Sequence, residues 1–289
     1  MNARPLRRPL FAATSTAIAV LLLGACAGGS SDEPAASEAL THVHGLGVGP
    51  ADGRVYVATH DGLYTLGKDK QPQRVGDRKD DFMGFTVTDE GAFLASGHGA
   101  PGSDRPGNLG LIESKDAGGS WTSRSLSGQA DFHSLESARG TVYGYEGGRV
   151  RATRDLATWE DRAVLDALDL AADPAKDGRL LATTATGVVA SADGGVTFGK
   201  ATGPVQAYLS WPAQGALFGI DPSGKLRHSA NGGTTWEDLS TVPGTPRALT
   251  AVDAERILVA TASGDGSESG VYESRDGGRT FTQLTAAAS

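Results

Sequence analysis

Four stretches of eight residues decide the fold: SKDAGGSW (Ser114–Trp121), SADGGVTF (Ser191–Phe198), SANGGTTW (Ser229–Trp236) and SRDGGRTF (Ser274–Phe281). Each reads Ser-x-Asp/Asn-x-Gly-x-x-Trp/Phe, and a shortened copy, TRDLATW, runs from Thr153 to Trp159. Their third positions are Asp116, Asp155, Asp193, Asn231 and Asp276, separated by 39, 38, 38 and 45 residues. A period of about 40 with short alternating strands is the signature of propeller blades. The strands are visible upstream of the motif: RVYVAT (Arg54–Thr59), RLLAT (Arg179–Thr183) and RILVAT (Arg256–Thr261). They are β-branched or large apolar runs bounded by Gly and Asp turn signals.

Aligning both elements gives six repeats, starting near residues 43, 82, 132, 167, 206 and 247. The prediction is an all-β fold over residues 40–286: a β-propeller of six blades, each with four antiparallel strands, a to d from the centre outward. Blade 1 keeps strands a to c, but its motif is lost in Lys68–Gln73, which leaves five or seven blades open. The motif residues have structural work to do. An Asp or Asn side chain closes a turn by accepting backbone amide hydrogens a few residues on. The Gly supplies positive φ, and the aromatic ring packs on a neighbouring blade. Asp116, Asp155, Asp193, Asn231 and Asp276 therefore read as turn-closing residues. Asn231 fits that role, because an amide caps a turn but is no general acid or base.

These repeats resemble those of the Asp-box, or BNR, family, and the resemblance covers nearly the whole chain after residue 40. The family includes sialidases, other glycoside hydrolases, sortilin-type receptors and photosystem II assembly-factor-like propellers. The chain also resembles small bacterial lipoproteins described as sialidase-like or glycosylhydrolase-like. The resemblance implies that the motif joins strands c and d at the rim, away from the central site. For an exo-sialidase it would imply a Tyr nucleophile, a helper Glu, an Asp acid–base and three Arg residues gripping a substrate carboxylate. The first of those Arg residues lies in an Arg-Ile-Pro motif, which is absent; the corresponding stretch is Thr41–Gly45, THVHG. Arg105, Arg149 and Arg247 carry no supporting motif. Tyr143, Tyr145 and Glu146 in VYGYEGG read equally well as strand b and its turn.

The N-terminus carries an address. Arg4, Arg7 and Arg8 precede an apolar run from Leu10 to Leu23 that is shorter than a membrane span. Leu23-Gly24-Ala25-Cys26 follows, and it resembles the lipobox of bacterial lipoproteins. The resemblance implies cleavage before Cys26 and lipid on its sulfur, with palmitate-type acylation. Residues 1–25 are thus expected to be a lipoprotein signal peptide, and residues 26–39 a lipidated Cys followed by a small, polar tether. Arg7-Arg8 leaves general and twin-Arg export both open. Cys26 is the sole Cys, so no disulfide forms within the chain. The expected location is the outer side of the bacterial cytoplasmic membrane, held there by lipid. Net charge is −8 at pH 7, and −11 without the three N-terminal arginines. That acidity argues against nucleic acid as a partner. A monomer is expected, with a small ligand, a glycan or an envelope protein as partner.

Five of six histidines fall on one face of three consecutive repeats. His42 and His44 open strand a of blade 1, His60 sits in its b–c turn, His98 begins the b–c loop of blade 2, and His133 opens strand a of blade 3. His228, in strand c of blade 5, is the exception. Asp81 and Asp131 sit at equivalent places beside them. The predicted site is His44, His60, Asp81, His98, Asp131 and His133, with His44, His60, His98 and His133 as candidate ligands of a divalent transition metal. Separate surface histidines in polar loops are the plainer alternative. Only one of His42 and His44 is expected to face the channel. The leading functional expectation is a non-enzymatic binding propeller, and the alternative is a glycoside hydrolase. The b–c loops Gly97–Asn108 and Ser263–Gly270 are long enough to serve as binding surfaces.

Overall fold

The computed structural model describes residues 40–67, 69–264 and 269–285. The expected signal peptide, Cys26 and tether lie outside the described residues. Among those described there is no helix long and apolar enough to cross a membrane.

Twenty-three antiparallel strands form six sheets. Blade 1 holds β1 (Val43–Val48), β2 (Val55–Thr59), β3 (Gly62–Leu66) and β4 (Pro72–Arg74). Blade 2 holds β5 (Asp81–Val87), β6 (Phe93–His98), β7 (Leu111–Ser114) and β8 (Thr122–Ser125). Blade 3 holds β9 (Ser134–Ala138), β10 (Thr141–Glu146), β11 (Arg149–Thr153) and β12 (Glu160–Val164). Blade 4 has β13 (Leu170–Ala172), β14 (Leu180–Thr184) and β15 (Gly187–Ser191), and its outer strand is reduced to one bridge, Val188 to Thr202. The segment there, FGKATGP, carries two glycines and a proline, which a strand tolerates poorly. Blade 5 holds β16 (Tyr208–Ala213), β17 (Ala216–Ile220), β18 (Lys225–Ser229) and β19 (Glu237–Thr241). Blade 6 holds β20 (Thr245–Ala251), β21 (Ile257–Ala262), β22 (Ser269–Ser274) and β23 (Thr282–Gln283).

The innermost strands β1, β5, β9, β13, β16 and β20 contact one another in that order, and β20 returns to β1. This is a closed six-bladed β-propeller. Strands buried on both faces should read as near-continuous apolar runs, and β2 and β21 do. Successive side chains point to opposite neighbours: Val57 packs toward blade 6, while Tyr56 and Ala58 pack toward blade 2. Six apolar clusters result, one in each seam between adjacent blades. Among the described residues, no strand is exchanged between the first and last blades. The ring closes through Leu40, Val43, Leu46, Val57 and Tyr64 against Ala248, Leu258, Ala260 and Val271. Polar ties reinforce the seams around the channel. Glu136 accepts from the Ala172 amide (3.2 Å), Asp169 from the Leu209 amide (2.9 Å) and Ser210 from the Ala251 amide (2.9 Å), while Thr250 donates to the Leu46 carbonyl (2.9 Å). Burial in the channel wall pushes the Glu136 carboxyl up to about 8 and that of Asp169 up to about 6.

The repeated motif follows strand c at the rim in every copy and leads into strand d except in blade 4, where only the Val188–Thr202 bridge remains. In SADGGVTF, Asp193 Oδ1 accepts from Ser191 Oγ (2.7 Å) and the Thr197 amide (2.9 Å), and Oδ2 accepts from Thr197 Oγ1 (2.6 Å). Asp116 and Asp276 repeat the pattern. These hydrogen bonds hold the Asp116 and Asp193 carboxyls down at about 2. The turn needs two consecutive left-handed residues, such as Gly194 (φ 74°) and Gly195 (φ 80°). The shortened copy makes do with one, Leu156 (φ 60°), and Asp155 caps the Ala157 and Thr158 amides. The motif's aromatic residue packs into the seam with the preceding blade each time. Trp159 stacks on Phe132, ring centroids 4.5 Å apart, and donates to Ser125 Oγ of blade 2 (2.9 Å).

Candidate functional site

The inner strands enclose a channel of about 610 Å³ lined by all six blades. One mouth gathers the histidines. Asp81 opens β5 and is paired across strands with His98, the last residue of β6. The two strands approach closely there: a Cβ on Gly97 (φ 142°) would lie 1.9 Å from the Asp81 carbonyl oxygen. His60 occupies the β2–β3 turn, and its amide donates to the His42 carbonyl (3.2 Å). His133 precedes β9, with its amide tied to the Tyr145 carbonyl (2.9 Å).

The side chains form one continuous chain of contacts across blades 1, 2 and 3. His44 Nε2 lies 3.6 Å from Asp81 Oδ1, and His60 Nδ1 lies 3.0 Å from Asp81 Oδ2. His98 spans both carboxylates: its Nδ1 is 3.5 Å from Asp81 Oδ2 and its Nε2 is 3.3 Å from Asp131 Oδ2. His133 Nε2 completes the chain, 2.8 Å from Asp131 Oδ2. The structure thus brings together all six residues singled out in the sequence. His228 stands apart in blade 5, bonded to the Gly215 carbonyl (2.8 Å) and packed on Phe218.

Three side-chain atoms of the cluster are buried without any hydrogen-bond partner: His44 Nε2, Asp81 Oδ1 and Asp131 Oδ1. Buried polar atoms are nearly always paired, so such a concentration marks a place built for something else. His44, His60 and Asp81 each offer a donor atom within 4.8 Å of the other two, a set able to hold a metal ion. Burial lowers the His44 imidazole below 6.5, opposed by the nearby Asp81 carboxylate. The Asp131 hydrogen bond raises His133 above 6.5, opposed by burial. Neutral imidazole is the ligating form, so burial prepares His44 for that role.

The expectation that only one of His42 and His44 faces the channel is corrected: both rings stand beside His60, with centroid separations of 5.7 and 6.4 Å. Residues two apart in a strand share a face, so alternation itself places the pair together. Two local irregularities mark this end of the strand: His42 is left-handed (φ 47°), and a bulge shifts the β1–β2 register between Val43 and Gly45. A left-handed non-glycine residue costs about 1–3 kcal/mol and clusters at functional sites. A second feature escaped the sequence reading. Asp80 is fully buried and holds the β6–β7 loop in place, accepting from Arg105 Nε (2.6 Å) and the Ala100 amide (2.8 Å) and pairing with Arg78. Glu146 does the same for the neighbouring carboxylate, accepting from the Asp131 amide (2.9 Å).

The sialidase constellation is not assembled from the candidate residues. Arg105 is bound to Asp80, and Arg149 lies 3.6 Å from Asp161 on blade 3. Tyr145 is bonded to the Leu165 carbonyl (3.0 Å), and Tyr143 is buried in the seam with blade 4. Of the three arginines only Arg247 lines the channel.

No family model matches the chain, and no curated protein matches it. Solved structures do. A GH74 xyloglucanase from Xanthomonas campestris is 17% identical with a TM-score of 0.57, covering 88% of this chain and 46% of its own. This chain therefore spans just under half the length of that enzyme. A gluconolactonase, also from Xanthomonas campestris, is 14% identical with a TM-score of 0.57, over 85% of this chain and 86% of its own. YCF48 bound to a D1 peptide is 16% identical with a TM-score of 0.52, over 85% of this chain and 81% of its own. The likeness is one of fold: a β-propeller whose neighbours include a glycoside hydrolase, a lactonase and a peptide-bound protein.

Proposed function

We propose that this chain is an exported, lipid-anchored propeller of the Asp-box type that binds a divalent transition metal at its channel mouth. His44, His60 and Asp81 hold the ion in this reading, and His98, Asp131 and His133 form the flank through which a ligand or partner meets it. The observation that carries it is the pair of buried, unpartnered atoms His44 Nε2 and Asp81 Oδ1, facing each other beside His60. Imidazole and carboxylate together suit zinc, copper, nickel or iron rather than magnesium or calcium, which favour oxygen alone. The anchoring part rests on the Arg-rich start, the short apolar run and the Leu23–Cys26 stretch. The Asp-box assignment rests on five copies of the motif that share one bond, from the Ser or Thr hydroxyl to the Asp or Asn Oδ1.

The test is metal content of the purified full chain by inductively coupled plasma mass spectrometry, alongside His44→Ala and His98→Ala. A near-stoichiometric ion lost in His44→Ala and weakened in His98→Ala supports the reading. Protein that stays metal-free after incubation with zinc and with copper overturns it. Glycan hydrolysis is the weaker reading, because Arg105 and Arg149 are engaged elsewhere.

A further inference from the structure

Each blade places one polar side chain at the start of its inner strand: His44, Asp81, His133, Asp169, Tyr208 and Arg247. The two halves of this ring differ in chemistry. Blades 1 to 3 present imidazoles and a carboxylate, whereas blades 5 and 6 present a phenol and a guanidinium. Arg247 is exposed and lines the channel, and among the described residues no carboxylate forms an ion pair with it. Such a cation beside an open channel, in a chain of net charge −8, is available to an anionic ligand.

The seam between blades 6 and 1 sets its height. Thr250 donates to the Leu46 carbonyl, so the two strands are level at those residues. Arg247 lies three residues back from Thr250, and His44 two back from Leu46. Both inner strands run in the same direction, so Arg247 and His44 lie toward the same end of adjacent inner strands, and both line the channel. Tyr208 is near enough to feel the Arg247 charge, and burial pushes its phenol up to about 12, which keeps it a neutral O–H donor. Below them lies the channel volume of about 610 Å³, room for a small organic molecule.

We propose that the mouth binds a small carboxylate-bearing ligand, with a donor group on the ion held by His44, His60 and Asp81 and its carboxylate on Arg247. This rests on the metal reading above. A planar guanidinium fork matches a carboxylate bidentately. Tyr208 adds a hydrogen bond. The Asp169 carboxylate, near enough to Tyr208 to raise its phenol, disfavours a more highly charged anion such as phosphate.

The experiment uses the purified full chain loaded with cobalt(II), whose content is measured first. L-lactate, a carboxylate with a second oxygen donor, is then titrated while the cobalt absorption bands and heats of binding are recorded; inorganic phosphate is the second probe. Lactate should shift the bands, and Arg247→Gln should weaken lactate binding by about tenfold or more, as expected for loss of a charge-assisted hydrogen bond. Cobalt content should be unchanged in that variant, and Arg247→Lys should fall between. The proposal is overturned by no response to lactate, by Arg247→Gln binding lactate as tightly as wild type, or by phosphate binding as tightly as lactate. Absence of bound cobalt in wild type overturns the metal reading itself, and this inference with it.

Discussion

Aspartates at the rim and aspartates at the channel mouth do opposite things with the same carboxylate. At the rim, Asp193 binds only groups within four residues of itself, and both oxygens are occupied. At the mouth, Asp81 and Asp131 each direct one oxygen toward imidazoles of other strands and turns, His133 alone being a sequence neighbour, and each keeps a buried Oδ1 with no hydrogen-bond partner. Asp80 is the instructive intermediate. It is as buried as any residue in the molecule, yet it is fully bonded to Arg78, Arg105 and a backbone amide. Burial alone therefore does not mark a site; a buried acceptor with long-range neighbours and an unused lone pair does.

The contrast breaks most sharply at Gly97. An added methyl group would collide with the Asp81 carbonyl and crowd the Met83 amide at 2.9 Å, in a backbone conformation that L-residues rarely adopt. Gly97→Ala should destabilise the fold by roughly 3 kcal/mol, a Tm fall of roughly 6–12 °C. It should also displace Asp81 and abolish metal binding. Calorimetry and metal content check both, and a variant that keeps its metal and its Tm would show that the close approach of β5 and β6 does not position the site.

Substituting the two kinds of aspartate separates them. Asp81→Asn removes a ligating charge while leaving the shape, so metal affinity should fall by about 100-fold with Tm little changed. Asp116→Ala removes the acceptor for the Ser120 amide and two hydroxyls, so Tm should fall by roughly 2–4 °C with metal affinity intact. Metal titrations and thermal melts on both variants provide the check. A rim variant that loses metal, or a mouth variant that only loses stability, would erase the distinction.

The rim was legible in the sequence because everything it needs lies within eight residues. The acceptor, its donors and the left-handed pair are consecutive, so a repeat search finds them and sets the period, although the copy missing from blade 1 leaves five or seven blades open. The fourth blade's missing outer strand was less legible, although Gly199, Gly203 and Pro204 carry the reason. The mouth was legible only after blade alignment, since His44, His60, Asp81, His98, Asp131 and His133 are scattered over 90 positions. What alignment could not supply was backbone irregularity. The bulge and the positive φ at the start of β1 have no signature in THVHG, and nothing near Asp80 announces that Arg105 reaches back to it.

The histidines test how closed the mouth is. In the metal-free chain His133 should titrate above 6.5 and His44 below it. His133 then contributes stability that is present below 6.5 and lost as pH rises through its raised value. His44, held neutral by burial, loses stability as pH falls below 6.5, because the unfolded chain takes up the proton first. Imidazole proton shifts followed by NMR would resolve both, and Asp131→Asn should lower His133 while leaving His44 in place. Two ordinary titrations near 6.5 would mean that the mouth is as solvated as the rim.

The smallest effect is expected at Asn231, where the rim pattern is already altered. Its Oδ1 keeps the bonds to Ser229 Oγ (3.1 Å) and the Thr235 amide (2.9 Å), but Nδ2 must donate to Thr235 Oγ1 (2.9 Å), reversing the direction seen in the aspartate copies. Asn231→Asp restores an acceptor there, and the Thr235 hydroxyl need only rotate to donate. One hydrogen bond replaces another of similar strength at an exposed turn, so Tm should move by less than about 2 °C, upward, with no change in metal content. A large fall would show that the turn depends on the sign of its charge. A negligible change confines the carboxylate's importance at the rim to hydrogen-bond geometry, and leaves the mouth as the place where charge itself is used.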